Sequence, residues 1–157
     1  MNVQDVEVIP ILDSATDAAG RSSRAISLKN YTGVVRLVCT VNQGNAATVL
    51  FTPEQCTHVA GTGAKALSQD VPIYTSQDLA TTTVLTRQTA AKNFTTSAAT
   101  TSKKVEFLID PAGLDVAGGF DCIRVTTGAS NAGNLTAASI VVQAKHKGDN
   151  TLNARAD

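Results

Sequence analysis

TGVVRLVCTV (residues 32–41) alternates with a period of two. Val35, Leu37, Cys39 and Val41 share one face of an extended chain, and Val34, Arg36, Val38 and Thr40 share the other. The first face is wholly apolar and the second mixed, so the segment reads as a strand with one face on a core. KKVEFLID (103–110) repeats the pattern, with Val105, Phe107 and Ile109 against Lys104, Glu106, Leu108 and Asp110. ASIVVQAKH (138–146) does so again, with Ile140, Val142 and Ala144 against Ser139, Val141, Gln143 and Lys145. Weaker strand signals lie in VEVIPIL, AISLKN, ATVLFT, VPIYT and TTTVLTRQ; Pro10 marks the first of these as an edge strand or a bulge.

GGFDCIRVTTGAS (118–130) raises a different question, because it puts a cysteine, an aspartate and an arginine side by side. As a strand it places Phe120, Cys122 and Arg124 on one face and Asp121, Ile123 and Val125 on the other. Cys122 then reads as a small buried hydrophobe of the inert kind. With both faces mixed, the strand belongs in a sheet interior, its outer face partly covered, and Asp121 and Arg124 must each find partners elsewhere.

Gly- and Asn-rich turns, QGN (43–45), GTG (61–63), AGG (117–119) and GASNAGN (128–134), punctuate these runs. Together they predict an all-β, single-domain antiparallel sandwich or barrel. One or two short helical turns are expected, at PAGLDV with Asp110 as cap and Pro111 at the first position, and at TSQDLA. The expected organisation is one domain over residues 1–157, with an N-terminal arm (1–19) and a mobile C-terminal tail (147–157).

The 157 residues suffice for a core without disulfides or a structural metal. Thirteen basic and thirteen acidic side chains cancel, so there is no positive field for nucleic acid. Acidic residues and Pro10 near the N-terminus argue against a signal peptide, and no apolar run is long enough to span a membrane. Three cysteines, Cys39, Cys56 and Cys122, leave at least one unpaired within the chain and fit a reducing cytosol.

Templates for chemistry fit poorly. Cys56-x-His58 offers two metal ligands, but the only further candidates are Cys39, Cys122 and the distant His146. No G-x-S-x-G elbow surrounds any serine, and no phosphate-cradling G-x-x-x-x-G-K-[ST] run is present. The carboxylate pairs Asp13 with Asp17 and Asp110 with Asp115 flank turns, where Asp commonly caps backbone donors. With no Trp, two Tyr and four Phe, the chain lacks the stacking surface of a single-strand or sugar binder. No cofactor, no metal and no catalytic residue is expected, and neither a nucleic acid nor a membrane is expected as partner.

In order, VIPILDSATDAAGRSSRAISLKN, VNQGNAATVLFTPEQ, VAGTGAKALSQDVPIY, LTRQTAAKNFTT, VEFLIDPAGLDVAGGFDCIRVTTGASNAGN and ASIVVQAKH resemble a family of small structural proteins of tailed bacteriophages. These are the auxiliary capsid proteins, also called decoration or cement proteins. The likeness runs from about Val8 to His146, and its most distinctive pieces are QGNAAT, VAGTGAKA, IDPAGLD and GFDCIRVTTGAS.

The resemblance implies a non-enzymatic, β-rich virion component, made in the host cytoplasm and placed on the capsid exterior. It further implies the major capsid protein as partner and a homo-oligomer, either trimer or dimer. A tail or head-tail connector protein and a surface-displayed adhesion module are the alternatives. The candidate capsid or subunit contacts are Val3, Val6, Val8, Ile9, Ile11 and Leu12, apolar on both faces of an extended arm. Such an arm suits addition to a neighbouring sheet edge, and equally an edge strand of its own sandwich. On the first reading, a chain lacking residues 1–13 still folds. The Thr-rich segment 81–101 and the polar tail are further docking candidates.

Overall fold

A computed structural model describes residues 6–145, so Val3 and the tail lie outside the described residues. Its strands are β1 (Val6–Thr16), β2 (Ile26–Ser27), β3 (Tyr31–Gln43), β4 (Leu50–Cys56), β5 (Lys65–Ala66), β6 (Val71–Ser76), β7 (Thr86–Ala91), β8 (Phe94–Thr95), β9 (Ser102–Ile109), β10 (Cys122–Thr127) and β11 (Asn134–Ala144). They form two sheets in which every ladder is antiparallel. The six-stranded sheet runs β1-β11-β3-β9-β6-β7. The five-stranded one runs β2-β10-β4, with β5 and β8 sharing the far side of β4. This is the all-β sandwich that the alternating patterns predict.

The alternation decides what each sheet buries. Val35, Leu37, Cys39 and Val41 of β3, Val105, Phe107 and Ile109 of β9, and Ile140 and Val142 of β11 all enter one core. From the other sheet come Ile123 and Val125 of β10, Phe51 of β4 and Ile26 of β2. Burying a side chain of this size is worth about 1.5–3 kcal/mol, so the apolar faces hold the sheets together. A one-residue slip in any of these strands would turn its apolar set to solvent.

At one end of the core the inward positions turn polar. Gln43 closes β3, and its Oε1 accepts from the Thr96 hydroxyl at 3.0 Å and from Lys103 Nζ at 2.8 Å. Lys103, fully buried, also donates to the Ala99 carbonyl. Together these side chains tie the Thr/Ser-rich loop after β8 to the sheet. Residues 81–101 are therefore part of the framework in part: β7 is an edge of the six-stranded sheet and β8 pairs with β4 in the other.

The turn chemistry of PAGLDV is as read. Asp110 caps a 3-10 turn at Pro111–Gly113 by accepting from the Ala112 N–H, and Asp115 caps a second at Val116–Gly118 by accepting from the Gly118 N–H. TSQDLA forms no helix. Asp78 there accepts from the Ala80 N–H through its side chain and from Thr81 and Thr82 through its carbonyl, closing a reversal after β6. Asp17 is buried beside the turn between β10 and β11, where it accepts from the Thr127 hydroxyl. Burial pushes its carboxyl upward, against the Thr127 hydrogen bond and the Arg21 charge.

Candidate docking surface

The six candidate contact residues divide. Ile11 and Leu12 are buried in the chain's own core, and Ile9 packs against it. Ile11 and Leu12 are corrected from surface contacts to framework, because β1 pairs with β11 and turns them inward at the sandwich edge, while Ile9 stays half-buried. Val8 is 62% exposed and Val6 is half-buried.

The outer edge of β1 is also closed to a further strand over much of its length. The Ile11 carbonyl accepts from the Arg24 N–H, and the Pro10 carbonyl from the Arg24 guanidinium. Arg21 donates to the carbonyls of Asp13, Ala15 and Thr136, bridging the register shift in which β1 slips against β11. Pro10 carries no N–H to offer. Prolines, bulges and positive side chains along an edge are the usual means of blocking unwanted strand pairing. A foreign strand along residues 10–16 would have to displace these contacts to the Pro10, Ile11, Asp13 and Ala15 carbonyls.

What β1 does present is its outward side chains, on the outer face of the six-stranded sheet. The register lines up two rows across that face. One is Val8, Val141, Arg36 and Leu108, and the other is Pro10, Ser139, Val38, Glu106, Tyr74 and Arg87. Val34, 56% exposed, stands two residues before Arg36 on the same face of β3. A shallow groove of about 150 Å³ runs between Val6, Val34, Arg36, Val141, Val142 and Gln143. This face is apolar at the end where β1 begins and charged in the middle.

The charged part is built around Glu106, whose side chain is only 4% exposed. Both its oxygens accept from Arg36, at 2.9 and 2.8 Å, and Lys104 Nζ reaches Oε1 at 2.6 Å. Burial would push this carboxyl up, but the hydrogen bonds from Lys104 and Arg36 and their charges outweigh it and hold it below the ordinary glutamate value. The sequence shows Arg36, Lys104 and Glu106 only as polar positions on two strands. Their convergence depends on β3 pairing with β9, which no local signal encodes.

Substituting Glu106→Ala leaves two cations facing each other without their anion, and urea denaturation is expected to show a loss of about 1–3 kcal/mol. Because the folded state lowers this group's pKa, its contribution is present above the ordinary glutamate value and is lost as pH falls below it. Glu106→Gln should flatten the acid limb of the stability profile.

On the other sheet, Arg124 pairs with Glu54 at 2.7 Å across β10 and β4, and Lys29 with Asp121 at 3.2 Å. Lys65 bonds Asp115 and sits 3.9 Å above the Phe120 ring. Asp121 and Arg124 thus meet different neighbours, as their opposite faces require. His58 is exposed, with Nδ1 accepting from the Ala60 N–H. Among the described residues no group of three or more metal-ligating side chains comes together.

No protein-family model matches the chain, and no curated protein does. Among solved structures, the chain is similar to the crystal structure of SPBc2 prophage-derived protein YomS. The TM-score is 0.50 at 12% identity, over 88% of this chain and 94% of that one. What the two share is the two-sheet β fold over nearly their whole lengths.

Proposed function

We propose that the chain is a non-enzymatic structural protein of a phage virion, which binds the outer surface of the capsid and stabilises it by bridging neighbouring capsomers. The observation that carries this reading is the outer face of the six-stranded sheet, where Val8, Val34 and Val141 lie beside Arg36. An apolar cluster rimmed by charge is the usual composition of a docking patch. The sequence resemblance to capsid decoration proteins supports it, and so does a fold shared with a prophage-derived protein. Docking of this kind needs no reacting group. Modest contacts repeated over a symmetric shell add through multivalency, and a homo-oligomer, trimer or dimer, would supply such repetition.

The test is to add purified protein to mature capsids that lack it. Added density on the shell by cryo-EM and greater resistance to heat or low ionic strength are expected. A bare shell at saturating protein overturns the reading, and so does polymerisation of the protein alone into tubes. Val8→Asp with Val34→Asp places two carboxylates in the patch without touching the core. This pair should weaken capsid binding about tenfold or more while leaving the melting temperature within a few degrees.

A further inference from the structure

Cys56 and Cys122 lie directly opposite each other on β4 and β10. Both are fully buried thiols on the outer face of the five-stranded sheet, in a small cluster with Ala25 that is separate from the main core. The neighbouring pair on that face is Arg124 with Glu54. The loop between β4 and β5 covers the two sulfurs, with Val59 and Ala64 packed on the cluster. Two glycines in that loop adopt left-handed backbone, Gly61 at φ 80° and Gly63 at φ 64°. The left-handed φ of Gly61 is what requires glycine, and a Cβ there would also push aside Arg124 Nη1, 2.9 Å away.

We propose that Cys56 and Cys122 are a disulfide-forming site, closed by thiol–disulfide exchange with a small soluble disulfide when the 57–64 loop lifts. The Cys56 thiolate attacks one sulfur of the oxidant and expels a thiolate, leaving a mixed disulfide on Cys56. Cys122 gives up its proton to solvent and attacks the Cys56 sulfur, expelling the second small thiolate. Two protein thiols are oxidised by two electrons, and one disulfide is reduced to two thiols.

The geometry assigns the roles. A hydrogen bond with Cys122 draws Cys56 below the ordinary thiol range, helped by Arg124 and the His58 backbone against burial and Glu54. Cys122 is pushed up by the same hydrogen bond, by burial and by Asp121, whose Oδ1 its thiol reaches at 3.2 Å. The Cys122 thiol donates to the Asp121 carboxylate, which disfavours its thiolate, whereas Cys56 ends β4 where the covering loop begins; Cys56 is the attacking group and Cys122 the resolving one. Cys39 cannot substitute for either, because it lies in the main core with Ala138 and Val105 as its cross-strand neighbours.

Backbone geometry also sets how tight the bond is. Gly128 N–H goes to Leu50 O on β4, and Leu28 N–H to Asp121 O on the opposite side of β10. By alternation Cys122 faces β4 and exchanges backbone hydrogen bonds with Cys56. Such a pair has Cα atoms about 5.5 Å apart, within disulfide range, but Cβ atoms near the upper end of about 4.5–5.5 Å, wider than a relaxed disulfide. The strands must shift slightly to close it, so the bond is a labile one, readily reversed by a dithiol.

The test is incubation of the folded protein with oxidised glutathione, then alkylation in denaturant and non-reducing peptide mapping. The expected product has lost two hydrogens, links the Cys56 and Cys122 peptides, and leaves Cys39 as the alkylated thiol. Dithiothreitol should restore all three thiols. Gly61→Ala should speed closure about fivefold by loosening the covering loop. Glutathione adducts without an internal link overturn the proposal. So does a failure of wild type and Gly61→Ala alike to lose any thiol.

Discussion

A chain lacking residues 1–13 is expected to lose its fold. Eight residues of β1 pair with β11, six of them within the deleted stretch. Ile11 and Leu12 are 1% and 6% exposed, and removing a buried Ile or Leu side chain typically costs about 2–5 kcal/mol. Glu7 also goes, and with it the acceptor for the hydroxyl of Tyr31, itself buried at the start of β3. Against a typical domain stability of about 5–15 kcal/mol, these losses leave little. Circular dichroism should show no cooperative melt. A truncated protein that melts like the full chain would mean that β1 is an arm after all.

Lys103→Ala is expected to cost about 3–5 kcal/mol, combining the cavity left by three methylenes and the ammonium with the loss of its hydrogen bonds to Gln43 Oε1, which keeps only Thr96, and to the Ala99 carbonyl. Lys103→Met retains most of the volume and should cost clearly less. Burial holds the Lys103 ammonium below the ordinary lysine value, against the attraction of Asp78. Since its folded-state pKa lies below the unfolded one, the unfolded chain binds more protons between the two values. Stability must then rise with pH through that window. Lys103→Met should abolish that part of the rise, as read by urea midpoints from neutral to alkaline pH. An unchanged slope in the methionine variant would show that another group carries it.

Much of the fold was legible because strands that bury one face write it as alternation. β3, β9 and β11 each show the pattern, and each buries the face expected. The first 3-10 turn after β9 was readable from Asp110 and Pro111, since capping is chemistry between near neighbours. Lengths were harder. AISLKN contributes only Ile26–Ser27, and ATVLFT is shifted to Leu50–Cys56, because strand ends are set by where a partner stops. The two-residue strands β5 and β8 left no periodic trace and exist through pairing with β4.

That this chain is an antiparallel β-protein, which faces its strongest strands bury and where most of its turns fall are written locally, because they follow from side-chain period and backbone preference. What meets across strands emerges from the assembled sheets: Glu106 with Arg36 and Lys104, Cys56 with Cys122, and Ile11 and Leu12 with the core. Strand order and register bring together residues dozens of positions apart, and one strand carries no record of which neighbour it will take.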